Sequence, residues 1–353
     1  MRTVFFLSAC LFIICINIKI TGQGEDFTLS IVFWNVENLF DPFDDSLTMD
    51  DEFTPEGMKH WTWTKFERKL NHLYKVITMA DEWNPPDIIG LCEVENRFVL
   101  RQMVENTPLS KYDYRIIHYD SPDPRGIDVS MLYLPDSFEP SFSSSIRVPA
   151  TKYADDSTRD ILYVKGLIKE MDTVHMFINH WPSRYQGEME STYKRNIVAE
   201  LLKQRVDSLF RLDLRNRIII FGDFNDEPED ISISEVLAVK SVNGGIENDK
   251  LYNMAVTGNS LLPGTQKYQG KWFFFDQFIV SGNILLSYDS CSMNVLDFDF
   301  LLEEDESFTG LKPFRTYNGY QYRGGFSDHL PIMLRMVVRS QSTTEIKEDH
   351  RDD

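Results

Sequence analysis

Runs of β-rich, apolar text alternate with helix-like text along most of the 353-residue chain. "LSIVFWNV" from Leu29 opens the series, and "DIIGLCEV", "YDYRIIHY", "IDVSMLYL", "ILYVKGLI", "VHMFINHW", "RIIIFGDF" and "FFFDQFIV" follow. Short apolar runs bounded by turn residues predict strands, several of them buried on both faces. Between the first two strands, Phe66, Leu70, Leu73, Tyr74 and Ile77 recur at helical spacing behind a T-x-x-E capping box at Thr64 and Glu67, with "NPPD" at Asn84 as the stop. A second, longer helix is predicted from about Glu188 to Phe210, with Ile197, Leu201 and Val206 on its apolar side. Hairpin-like strand runs interrupt the α/β alternation, so one α/β domain with mixed sheets is expected over 24–340.

The ends read differently. Residues 1–23 have a positive start at Arg2 and an apolar run from Val4 to Ile18, shorter than a membrane span, as in a secretory signal. Cleavage near Gln23 would make the protein secreted or periplasmic; a lipid anchor at Cys10, in "LSAC", is the minor alternative. The tail 341–353 is polar and expected to be disordered. The mature chain keeps Cys92 and Cys291, read as buried thiols rather than a disulfide framework. No C-x-x-C or H-E-x-x-H occurs, which argues against the commonest zinc sites.

A formal net charge of −19 excludes a general, charge-driven polyanion binder and makes any phosphate recognition local. The acidic loop "DPFDDSLTMDDEFTPEG" lacks the EF-hand glycine and is expected to be a solvated loop. The informative polar residues sit where strands end: Asn35 and Glu37, Glu93, His180, Asp223 and Asn225, and Asp328 with His329; Asp276 interrupts an aromatic strand. Singly, each reads as a turn residue or cap. Brought to one edge, such carboxylates cannot all stay charged without a cation, and their hard oxygens suit Mg²⁺, Mn²⁺ or Ca²⁺.

"FWNVENLF", "GLCEVEN", "RGIDVSMLY", "NHWPSR", "GDFND", "FFDQFIVS" and "GFSDHLPI" appear in an order that resembles the endonuclease/exonuclease/phosphatase superfamily, from about Ser30 to Met336. The resemblance is to its secreted bacterial branch. It implies a four-layer sandwich of two mixed β-sheets packed face to face with helices outside, and a metal-dependent phosphoric ester hydrolase. It also implies roles: Glu93 with Asn35, Glu37 and Asp328 at the metal, preferably Mg²⁺; Asp223 as water-activating base; Asn225 on the phosphate; Asp276 holding His329; and His180 as the second catalytic histidine.

Arg125 and Arg184 are the candidate extra phosphate contacts, since a guanidinium binds phosphate as a planar fork. Lys194 and Arg195 read as a solvated helix face, while Tyr268 and Trp272 read equally as stacking rings or as core. The favoured activity is phosphodiester hydrolysis, with DNA or RNA as the concrete substrate class. A phosphomonoesterase or lipid-headgroup phosphodiesterase is the alternative, and a non-catalytic binding protein on the same scaffold the third. A monomer is expected, with neither a protein partner nor a membrane span in the mature chain.

Overall fold

The computed structural model describes residues 27–149, 157–169, 172–184, 188–255 and 262–338. The expected signal and polar tail lie outside the described residues. Among these residues, no helix is long and apolar enough to cross a membrane.

Among the described residues, thirteen strands form two mixed sheets. In chain order β1 is Phe27–Leu39, β2 Ile88–Val94, β3 Arg115–His118, β4 Asp128–Tyr133, β5 Phe138–Ile146, β6 Ile161–Ile168, β7 Asp172–His180, β8 Arg217–Asp223, β9 Val239–Ser241 and β10 Leu251–Asn253. A small ribbon, β11 (Gln266–Tyr268) and β12 (Lys271–Phe273), precedes β13 (Asp276–Ser281) and β14 (Ser290–Val295). Two more ribbons follow, β15 (Leu302–Glu304) with β16 (Leu311–Pro313) and β17 (Tyr317–Asn318) with β18 (Gln321–Tyr322), before β19 (Ile332–Val338). The first sheet runs β14-β19-β1-β2-β4-β3 and the second β5-β6-β7-β8-β13-β10-β9. Each has parallel and antiparallel neighbours: β1 pairs parallel with β2 and antiparallel with β19, and β7 pairs parallel with β8, which pairs antiparallel with β13.

The period-2 pattern of the strands builds the layers. In β8, Ile219 and Phe221 face the first sheet, whereas Ile218 and Ile220 face the helix α3 (Glu188–Leu212). Across the inter-sheet core, Phe221 meets Phe33 edge-on at 6.1 Å and stacks on Phe278 at 5.2 Å. On β2, Gly90 makes room for that ring, since a Cβ there would lie 2.5 Å from it. Helices α1 (Trp63–Met79) and α2 (Arg97–Asn106) cover the first sheet. The architecture is the four-layer α/β sandwich expected from sequence.

Local details differ. Helix α1 begins at Trp63, so Thr64 lies inside it, and the position ahead of the helix is Thr62, which makes no side-chain cap bond. On α3 the buried stripe is Val198, Ala199, Leu202, Val206 and Phe210, with Ile197 and Leu201 only partly buried at its margin. The acidic loop after β1 is not wholly solvated. Asp41 and Asp50 are buried; Asp41 accepts from Asn96 Nδ2, and the Glu95 carboxylate takes the backbone N–H of Asp41 at 2.6 Å. With Asp41, Asp50 and Asp45 near it, burial pushes the Glu95 carboxyl up to about 8.

Candidate functional site

Strand register assembles the edge. His180 lies opposite Asp223 in the parallel β7–β8 pair, and Asp223 lies opposite Asp276 in the antiparallel β8–β13 pair, so three functional groups stand side by side at one end of the second sheet. Gly222 permits this: its φ is +155°, and a Cβ would come within 2.2 Å of the Asn179 carbonyl oxygen. From the first sheet, β1 brings Asn35 and β2 brings Glu93. The β1–β2 and β2–β4 registers both slip around Glu93, which bulges out at φ 59°. That bulge turns its carboxylate toward the cleft between the sheets, and left-handed backbone at a non-glycine residue is the kind of strain that functional sites hold.

Asp223 is at the centre. Its Oδ2 accepts from Asn35 Nδ2 at 3.0 Å, and its Oδ1 accepts from the Asn225 backbone N–H at 2.9 Å. His180 Nε2 and His329 Nε2 lie 3.7 and 3.8 Å from Oδ2. Burial pushes the Asp223 carboxyl up to about 6, against the pull of His329 and with Asp276 adding to the rise. The two histidines are tuned in opposite directions. His180 is driven well below its ordinary value by burial and by Arg159 and Arg125, so it is neutral. His329, though buried, is held well above its ordinary value by Asp276, whose Oδ2 lies 2.7 Å from Nδ1, and by Asp223. The amide of Gln266 lies 2.8 Å from His329 Nε2, and since amide O and N interchange by a half-turn it can serve either protonation state.

The last loop is pinned to β1: Ser327 Oγ donates to the Asn35 carbonyl, the His329 N–H donates to Ser327 Oγ, and Trp34 Nε1 donates to the His329 carbonyl. The "SDHLPI" segment thus docks a histidine onto the sheet edge rather than merely capping a turn.

Glu93 accepts from the Asn38 N–H at 2.9 Å and, at 3.3 Å, from Asn35 Nδ2, with His180 Nε2 3.8 Å away. No lysine or arginine bonds its carboxylate among the described residues. Glu93 Oε1 and Asp223 Oδ2 both accept from Asn35 Nδ2, so two carboxylates of the kind that suits a hard divalent cation converge on one amide, whose own Oδ1 takes the Glu37 N–H. Cys92 lies within reach of His180 and Asp223, and burial and the neighbouring carboxylates raise its thiol well above the usual range.

Glu37 and Asp328, expected at the metal with Glu93, flank Arg315, whose Nε lies 3.3 Å from Glu37 and Nη2 3.0 Å from Asp328, and Glu93 also acts on that guanidinium. The structure corrects two sequence readings. Arg184 does not point to the phosphate position. Its guanidinium bonds the Asn225 carbonyl, Asp226 and Asp230, so it buttresses the "GDFND" turn from behind. Arg195 is buried, not solvated, and pairs with Asp226 at 2.7 Å; Lys194 is nearly buried and pairs with Glu190. Arg125 is half-exposed beside Asp123 and opens onto a cleft of about 650 Å³. Asn225 spends one amide N–H on the Trp181 carbonyl. Tyr268 is exposed, whereas Trp272 packs on the core.

Three basic residues were not singled out from sequence. Lys69, on α1, is buried beneath Glu37 and Asp328, and burial pulls its ammonium down to about 8. Arg159 bonds Asp123 and the Trp181 carbonyl, which fixes the chain next to His180. Arg315 is the third. Their only sequence signal is a cation set in apolar or aromatic text, as in "FERKL", "STRDIL" and "KPFRTY".

The Endonuclease/Exonuclease/phosphatase family profile matches residues 30–338. No curated protein matches the chain. Among solved structures, an endonuclease/exonuclease/phosphatase family protein from Bacteroides thetaiotaomicron superposes with a TM-score of 0.56 at 16% identity, covering 93% of this chain and 99% of that one. A mannosyl-6-phosphatase from Bacteroides thetaiotaomicron gives 0.54 at 17% identity, over 87% of this chain and 99% of its own. TDP2 from C. elegans gives 0.54 at 16% identity, over 88% of this chain and 75% of its own. At these identities the likeness carries the fold, and the profile carries the kinship: the chain belongs to the Endonuclease/Exonuclease/phosphatase family, a family of phosphoester hydrolases.

Proposed function

We propose that the protein is a divalent-metal-dependent phosphodiesterase, with nucleic acid as its leading substrate class. The observation that carries this reading is Asp223, a buried carboxylate with a raised pKa set between a neutral His180 and a cationic His329. A carboxylate near neutrality is a competent general base for water, and Asn35 and the Asn225 N–H fix its orientation. His329, backed by Asp276, donates to a phosphate oxygen as charge builds in an in-line attack. Neutral His180 orients the phosphate or relays a proton, and the free edge of the Asn225 amide adds a further contact. A divalent ion held at Glu93 would supply Lewis-acid neutralisation of the phosphate.

At the inner edge the carboxylates Glu37, Glu93, Asp223, Asp276 and Asp328 outnumber Lys69, Arg315 and His329, and a monoanionic diester adds less repulsion there than a dianionic monoester. The exposed Tyr268 ring, on the ribbon that carries Gln266, offers a base-stacking face.

The test is a panel of DNA, RNA, bis-p-nitrophenyl phosphate, p-nitrophenyl phosphate, inositol phosphates and sphingomyelin, with Mg²⁺ or Mn²⁺ and with EDTA. Diester turnover that vanishes in EDTA and in Asp223→Asn is expected. Turnover on monoesters alone, or full activity in EDTA, would refute the reading. The protein is further proposed to be exported, and N-terminal sequencing of the mature form should begin near Gln23.

A further inference from the structure

Resting on the phosphodiesterase reading above, we propose that Gln266 is a positioning residue that keeps the phosphate's place on His329: its amide holds Nε2 until a phosphoryl oxygen takes that position, and takes it back as the product leaves. Each nitrogen of an imidazole makes one in-plane hydrogen bond, as donor or as acceptor. Both nitrogens of His329 are taken within the protein. Nδ1 faces Asp276 Oδ2 at 2.7 Å, and Nε2 faces the Gln266 amide at 2.8 Å. Asp223 Oδ2, 3.8 Å from Nε2, is too far to be a hydrogen-bond partner. A phosphate oxygen therefore meets His329 only where the amide now lies, whichever way that amide is turned.

The exchange falls to the side chain of Gln266, because its backbone is held on both sides. Gln266 and His329 form an antiparallel bridge, and the Leu330 N–H donates to the Thr265 carbonyl at 2.8 Å. The Thr265 N–H donates to the Phe273 carbonyl, also at 2.8 Å, and Gly264 brings the chain in so closely that a Cβ there would lie 2.5 Å from the same oxygen. One residue on, Lys267 Nζ pairs with Asp305 at 3.0 Å and donates to the Thr309 carbonyl at 2.9 Å. The amide is held differently. It ends a rotamer-rich side chain, and its partly buried contact with His329 is the one hydrogen bond that side chain makes among the described residues. A bond to each nitrogen fixes the buried ring and leaves neither nitrogen unsatisfied. A hydrogen bond to a charged oxygen is roughly twice as strong as one to a neutral oxygen, so a phosphoryl oxygen displaces the amide. Hydrolysis of a diester then leaves a monoester, which carries more charge and holds the ring more tightly; a competing amide beside it weakens that hold.

The experiment separates binding from turnover, with inorganic phosphate and bis-p-nitrophenyl phosphate as probes in Mg²⁺. Gln266→Leu keeps the bulk and removes the amide; Gln266→Asn keeps the amide but is one methylene too short to reach Nε2. In both, Kd for phosphate by isothermal titration and KM for the diester should fall together by about two- to tenfold, the range of one neutral hydrogen bond, and product inhibition by phosphate should tighten by the same factor. In the wild-type protein, phosphate should shift the ¹⁵N side-chain amide resonance of Gln266 as its bond to Nε2 breaks. An unchanged Kd in the folded variants would reduce the contact to a structural one, and a raised Kd would make the amide a substrate ligand. Either result, or a Gln266 resonance unmoved at saturating phosphate, overturns the proposal, while wild-type diester turnover in Mg²⁺ keeps the phosphodiesterase reading. If Gln266→Leu does not fold, Gln266→Asn and the wild-type resonance decide. If the wild-type protein turns over no diester, that reading fails and this inference with it.

Discussion

Replacing Asp276 by Asn should change both rate and stability, with a pH signature that identifies the cause. The carboxylate is fully buried, its Oδ2 is 2.7 Å from His329 Nδ1, and it is the strongest influence raising that histidine. Asn keeps the shape and can accept the Nδ1–H through its amide oxygen, so the fold should survive. What disappears is the charge. Burial then outweighs the remaining pull of Asp223, and His329 becomes neutral. Loss of a charge-assisted buried bond is worth about 1.5–3 kcal/mol, and loss of acid assistance about 10²–10⁴-fold in turnover. In the wild-type protein the folded His329 pKa lies above the unfolded value near 6.5. Its contribution to stability is therefore complete below about pH 6.5 and is lost as pH rises through the folded value, at about 1.4 kcal/mol for each tenfold difference in proton affinity between the folded and unfolded states. In the variant the sign reverses, and neutral His329 costs stability only as pH falls. Urea unfolding from pH 6 to 10 should show the gap between the two proteins widest at the acid end and narrowing with pH, and ¹⁵N imidazole NMR should show His329 titrating lower in the variant. A gap independent of pH, or an unchanged His329 titration, would refute the account of Asp276 and His329 as an ion pair.

Four further outcomes follow from the same geometry. Glu93→Gln should lower Mn²⁺ affinity and turnover together by at least about tenfold with little change in melting temperature; normal Mn²⁺ titration would remove Glu93 from the metal. Arg184→Ala should cost about 0.5–1.5 kcal/mol through its lost hydrogen bonds to the Asn225 carbonyl, Asp226 and Asp230, Asp226 keeping Arg195, seen as a lower urea midpoint, with KM unchanged; a raised KM without destabilisation would restore it as a phosphate contact. Gly222→Ala should destabilise by about 1–3 kcal/mol through the Asn179 clash and cut turnover further by displacing Asp223, as separate melting and rate measurements would show. Finally, kcat/KM on a short single-stranded oligonucleotide should fall only a few-fold between 50 and 200 mM salt, because the described cleft exposes few cations; a fall of about 10³-fold or more would mean six or more phosphate contacts and a larger binding surface than this one.

The strands were legible because apolar runs with β-branched and aromatic residues are what two stacked sheets require, and the residues that end them are polar because the strands end in a cleft. β5 escaped the pattern. "FEPSFSSSI" carries a proline and a run of serines, yet it pairs along β6 as an edge strand, where one face and one side are spared burial. The start of α1 was misplaced by two residues because a T-x-x-E pattern recurs one turn inside a helix as readily as at its cap. In the site, Asn35, Glu93, His180, Asp223, Asp276 and His329 could be named from their positions beside strands; register sets His180, Asp223 and Asp276 side by side, and side-chain hydrogen bonds bring in Asn35, Glu93 and His329. The direction in which a side chain is spent could not be. Nothing local distinguishes Arg125, which opens onto a cleft, from Arg184, which is folded back onto Asp226; that depends on acids 42 and 46 residues away.

The basic residues explain how so acidic a chain can address phosphate. Arg159, Arg184, Arg195 and Lys69 are all spent inward, on Asp123, Asp226, Asp230 and the loop before His329. None projects a basic face to solvent. They act through position: Arg159 fixes Trp181 and depresses His180, Arg184 and Arg195 hold the turn that carries Asn225, and Lys69 stiffens the segment that carries Arg315. Buried charges are costly unless paired, so a scaffold with this many implies a use for fixed electrostatics. Preorganised charge is worth most where charge develops during a reaction and least in long-range attraction. The distribution therefore suits a site that recognises a phosphate ester only after it has entered the cleft.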